Sequence, residues 1–205
     1  MSQYKKRLKM YAAWEYDKEE EALNNLSQKG MQLVNGGLFV STFQKNEDLR
    51  YLYQLDFNTN IENKSRYKEA FEDQGWEYIN STFNGWHYFR KLYKEGMDDK
   101  DYKIYTDKES LKEMQNRWVH IANILSVFYF LSLFTFVFRY IDTKENFWAV
   151  NIVLYTLIFV AFRLGVRTLN LKIEGKNSKI NIPIQFLIAC LLFGFVLMFT
   201  LLKFI

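Results

Sequence analysis

The sequence predicts an α+β chain in two parts: a small ferredoxin-like cytoplasmic domain built from two helix–β-hairpin units, then a three-helix transmembrane region. Three observations point there. Of 27 Lys/Arg and 23 Asp/Glu, 19 and 20 fall between Met1 and Trp118, so the net +4 comes entirely from the remainder. That remainder holds three apolar runs, near 119–138, 147–167 and 182–202. In the first part a helix pattern, a glycine and two strand patterns recur: Leu26, Gly30, Met31 and Leu33 are echoed by Phe71, Gly75, Trp76 and Tyr78. The expected organisation is a domain over 1–97, a linker and juxtamembrane helix over 98–118, and a membrane domain over 119–205.

Lys5 to Trp14 reads as a strand, and Asp17 then caps a helix reaching Lys29, with Glu19, Glu20 and Glu21 favourable in its first turn. Gly30 stops that helix. Met31 to Val34 and Leu38 to Phe43 read as strands around Gly36-Gly37, and Tyr51 to Phe57 alternates with Tyr51, Tyr53, Leu55 and Phe57 on one face. A second helix over Ser65 to Gln74 ends at Gly75. Trp76 to Phe83 and Trp86 to Lys91 then form a hairpin about Asn84-Gly85. The resulting βαββαβ-like order is what suggests a ferredoxin-like sandwich. Thr106 and Glu109 form a capping box for a helix that passes Met114 and Trp118 and continues into the first apolar run.

At 1.5 Å per residue a run of about 20 residues matches the bilayer core of roughly 30 Å. The second run is the shortest and reaches crossing length by letting Arg163 snorkel. Between the second and third runs Arg163, Arg167, Lys172, Lys176 and Lys179 face only Glu174 in charge, which places that segment and the amino-terminal domain in the cytoplasm and the carboxy terminus outside. Arg163 and Arg167, spaced i,i+4, are candidates for lipid or domain-docking contacts. His120 and Asn123 enter the first run one turn apart and read as interfacial or helix–helix contacts.

Motifs for chemistry are missing. There is one cysteine, Cys190, so no disulfide closes within the chain, and the chain opens on a polar basic stretch without a signal-peptide core. The two histidines fall in different parts, and no zinc set, phosphate loop or Ser/His/Asp set is spaced for work. The near-neutral first part excludes nucleic acid as a partner. No catalytic residue, cofactor or metal is therefore expected. Trp14, Trp76, Trp86, Tyr88 and Phe89 are expected to fill the core, with a pocket for a small apolar ligand as the alternative. Asp56 and His87 read as solvent-facing strand positions. Trp14, Asp56, Trp76, Trp86, His87 and Arg90 are the candidate ligand or partner surface.

Several segments together resemble a known family: Trp14 to Glu20, Leu26 to Gly30, Tyr51 to Phe57, Gln74 to Tyr78, Trp86 to Lys91, and Ile104 to Asp107. In that order they are similar to Domain of Unknown Function 2812. The resemblance implies a cytoplasmic domain ahead of membrane helices, many members having two spans, mostly in Gram-positive bacteria and often encoded beside a PadR-like regulator. It carries over no catalytic residues. The expected function is a non-enzymatic, membrane-anchored sensor or adaptor whose domain binds a protein or small ligand, with the bilayer and a protein partner or further copies as its partners. The alternative is an antimicrobial-protection or transporter-accessory membrane protein.

Overall fold

The computed structural model describes residues 4–9 and 11–176, and its contacts divide the chain into Met1–Arg117 and Trp118–Ile205. The first unit is a βαββ arrangement made twice. Strand β1 (Tyr4–Leu8), helix α1 (Tyr16–Gln28) and strands β2 (Met31–Asn35) and β3 (Val40–Lys45) give an antiparallel sheet in the order β1-β3-β2. Strand β4 (Tyr51–Phe57), helix α2 (Lys64–Glu72) and strands β5 (Glu77–Ser81) and β6 (Trp86–Leu92) give a second, in the order β4-β6-β5.

This corrects the ferredoxin-like expectation: the domain has two three-stranded sheets, where that fold has one sheet of four. Each repeat closes on itself because its first strand pairs with its third, Lys5 opposite Phe43 and Gln54 opposite Phe89. Both helices end where Gly30 and Gly75 take positive φ, +72° and +79°, a conformation that side chains with a Cβ resist. Both second strands bulge at the same place, between Leu33 and Asn35 and between Tyr78 and Asn80. At that place the Asn80 amide joins the two sheets, accepting from Gly36 N at 2.8 Å and donating to Gly36 O at 2.7 Å.

The outer edge of β4 is closed by side chains of α1. Glu20, Asn24 and Ser27, on one helical stripe, accept from the backbone N–H groups of Leu55, Tyr53 and Tyr51 at 2.7 Å each. Those amides point away from β6, so the helix supplies the acceptors that a further strand would have offered. Gln32, buried, ties the same corner by donating to the Asn46 and Leu49 carbonyls while accepting from the Ser27 hydroxyl.

Strand β6 is buried on both faces. Trp86 stacks on Tyr16 of α1 with ring centroids 5.7 Å apart, whereas Phe89 packs with Trp76 and Ile104 under Tyr67 and Phe71 of α2. A sheet covered on both sides leaves no solvent face, so the alternating-face expectation for Asp56 and His87 fails: Asp56 is 1% exposed and His87 7%. The predicted Lys5-to-Trp14 strand is also shorter, ending at Leu8.

Helix α3 spans Lys108–Thr143 without interruption, and its cap is Asp107, whose Oδ1 accepts from Glu109 N and Ser110 N, in place of the expected Thr106. In the second unit a turn at Lys144 and Glu145 leads into helix α4 (Asn146–Ile173), which carries Arg163, Arg167 and Lys172 on a helix where a loop was expected. Two helices, not three, are long and apolar among the described residues; the expected span near 182–202 lies outside them. At 1.5 Å per residue, α4 is about 42 Å long, with Arg163 inside the helix and not at its end. Only 11% and 17% of the most apolar windows of α3 and α4 are buried, whereas a core helix of a soluble protein is mostly covered. Phe128, Leu131 and Phe138 lie open, and Tyr129 and Phe136 of α3 meet Tyr155 of α4. This is a membrane protein with at least two apolar helices.

Candidate functional site

Asp56 is a buried carboxylate held by three side-chain donors. It stands on β4 opposite His87, on the face covered by α2. Its Oδ2 accepts from the Tyr67 hydroxyl at 2.6 Å, and its Oδ1 accepts from the Tyr105 hydroxyl and from Arg117 Nη2, the latter at 3.0 Å. Arg117 also donates through Nε to the Phe57 carbonyl at 2.8 Å. Burial, and then the Asp56 charge, push both tyrosine hydroxyls well above the ordinary phenol range, so they remain donors at any physiological pH. Four segments meet at one carboxylate: β4, α2, the linker and the first turns of α3. Nearby, Gln115 Nε2 donates to the Tyr16 hydroxyl at 2.8 Å and binds α3 to α1 as well.

His87 borders this clasp, its ring edge-on to Tyr67 at 5.1 Å. Nε2 lies 2.9 Å from the Asn58 carbonyl, which makes it the donor, and Nδ1 is buried with no partner among the described residues. Desolvation lowers the imidazole pKa below 6.5, only partly offset by Asn58 and by Asp56. A second proton would arrive on a nitrogen with nothing to receive it.

A second polar centre lies between the first sheet and α1. Lys9 Nζ is 2.8 Å from Glu19 Oε2 and donates to the Tyr88 hydroxyl at 2.6 Å, which in turn donates to Glu19 Oε1 at 2.8 Å. Burial raises the Glu19 pKa, opposed chiefly by the charge of Lys9. Tyr88 reaches this position because residue 36 is glycine: a Cβ there would sit 2.6 Å from the tyrosine ring. The triangle borders an open cavity of about 360 Å³ whose walls include Arg7, Leu23, Leu26, Lys29 and Phe43.

The sequence candidates scatter around these two centres. Asp56 and His87 come together; the others do not join them. Trp76 and Trp86 close the core, 2% and 4% exposed, and Trp14 is half-buried in a short turn over Ala13–Glu15. Arg90 forms a fork on Glu77, at 2.8 and 2.5 Å, and lies over the Tyr51 ring. In the second unit Arg163 donates to Asn123 Oδ1 at 2.7 Å, while Arg167 is exposed. Lys9, Glu19, Tyr67, Tyr105 and Arg117 were not among the candidates. One signal was present: Glu19 falls at i, i+4 and i+7 with Leu23 and Leu26, on the apolar stripe of its helix.

Among the described residues no group of three His, Cys, Asp or Glu is placed to hold a metal ion. The family model described as a protein of unknown function, DUF2812, matches residues 15–129. No curated protein and no solved structure matches the chain.

Proposed function

The chain belongs to the DUF2812 family, and from that premise we propose that it is a non-enzymatic, membrane-anchored sensor or adaptor. Its amino-terminal domain binds a small ligand or a protein on the cytoplasmic side. The observation that carries this reading is the clasp on Asp56. Arg117 and Gln115 lie in the first three turns of α3, and the same helix continues as the first apolar segment. A change that loosens β4, α2 or the linker therefore frees residues of the helix that enters the membrane. The basic residues of α4, Arg163, Arg167 and Lys172, favour the cytoplasmic side for its carboxy-terminal end and hence for the domain.

The test is capture of the tagged full chain after cross-linking in its native membranes, beside an Asp56→Asn variant. A specific partner whose yield changes in the variant supports the reading. Equal background recovery for both proteins, together with no ligand that shifts the melting of either, overturns it. Protection against an antimicrobial compound that survives deletion of the domain points instead to a role residing in the spans.

A further inference from the structure

The cavity beside Lys9 and Glu19 has a composition that selects its occupant. Its wall on α1 is apolar at Leu23 and Leu26, and Phe43 of β3 faces the same space. Three cations line it, Arg7, Lys9 and Lys29, against the single carboxylate of Glu19. Lys9 and Tyr88 already occupy both oxygens of that carboxylate. Arg7 and Lys29 have no side-chain partner among the described residues, so the unspent charge is positive. A cationic or neutral guest finds no free acid here, whereas an anion finds two free donors next to an apolar wall. Size sets a second limit. At the ~30 Å³ that a water-sized group takes up in a liquid, the cavity admits about a dozen non-hydrogen atoms. A single short tail matches that volume.

We propose that this cavity is a binding site for a free, single-tailed amphipathic carboxylate, its head held by Arg7 and Lys29 and its tail laid against Leu23, Leu26 and Phe43. The site deepens the sensor reading and rests on it only for the idea that occupancy is a signal; binding itself stands on the cavity. Because α1 also supplies the acceptors that close the β4 edge, a guest wedged against α1 acts on the strand that carries Asp56.

The experiment uses the full chain in phosphatidylcholine nanodiscs, with octanoate, octanol and octyltrimethylammonium as probes and tryptophan emission following the thermal midpoint. Octanoate is expected to raise the midpoint, octanol and octyltrimethylammonium to leave it unchanged. Arg7→Glu with Lys29→Glu, at exposed positions that cost little stability, should weaken the octanoate response at least tenfold, and Leu26→Trp should abolish it. An equal response to octanol overturns the charge assignment while leaving a binding domain. An octanoate response that survives the double charge reversal, or no response to any probe, overturns the site; the capture experiment on Asp56→Asn then decides the sensor reading separately.

Discussion

Asp56 is held by three donors, and the consequence of losing each differs with its burial. Tyr105→Phe or Tyr67→Phe removes one hydrogen bond to a charged, buried acceptor and should cost about 1.5–3 kcal/mol, read from urea or thermal unfolding of the full chain. Arg117→Met should cost less. Its side chain is 38% exposed, so solvent screens the ion pair, and the tyrosines still serve the carboxylate. His87 makes a prediction about pH. Its pKa is lower in the folded chain than the ordinary 6.5, so between those two values the unfolded chain binds more protons. Stability is then full above about 6.5 and falls as the pH drops through the lower folded value. In His87→Phe that part of the slope should vanish; an unchanged slope would show that other groups produce it. Neither residue was placed correctly from sequence, although the information was partly there. Trp86-His87-Tyr88-Phe89 and Leu55-Asp56-Phe57 have too many large apolar neighbours for a strand with one wet face. What could not be read was the cover, because Tyr67, Ile104 and Tyr105 come from a helix and a linker distant in sequence.

Among the elements, α1 has the least ordinary task. One stripe, Leu23 and Leu26 with Glu19, faces the cavity, and the adjacent stripe of Glu20, Asn24 and Ser27 closes the edge of β4. Replacing Asn24 by Leu or Ser27 by Ala leaves a strand amide without its acceptor. Each should cost about 1–3 kcal/mol in unfolding measurements, and amide exchange should rise at Tyr53 or Tyr51 respectively. Exchange confined to α1 would contradict the edge assignment. The helix itself, its stop at Gly30 and the echo at Gly75 were legible from periodicity and punctuation. Among the consecutive glutamates only Glu19 was marked, by its place on the stripe of Leu23 and Leu26; the task of Glu20 depends on the packed strand whose amide it meets. The same limit explains the ferredoxin-like expectation: local pattern marks each strand, but whether six strands form one sheet or two depends on pairings such as Lys5 with Phe43 that no local signal records.

For the whole molecule, the family match and the two uncovered apolar helices agree on a membrane protein. The charge of α4 predicts its sidedness. Reporter fusions should place the turn at Lys144 and Glu145 outside and the amino-terminal domain inside; the reverse labelling would remove the cytoplasmic assignment. The bilayer-facing character was plain from length and hydropathy alone. The connection was legible too, in the unbroken pattern after Thr106, but what fastens the start of that helix was not. Arg117 and Gln115 make that fastening, on Asp56 and Tyr16. Hydrogen–deuterium exchange of the full chain in nanodiscs, comparing wild type with Asp56→Asn and Arg117→Met, measures it. Both variants should exchange faster over 108–117 while the apolar stretch of α3 beyond Trp118 keeps its protection; unchanged protection over 108–117 in both would contradict a clasp that couples the domain to its membrane helix.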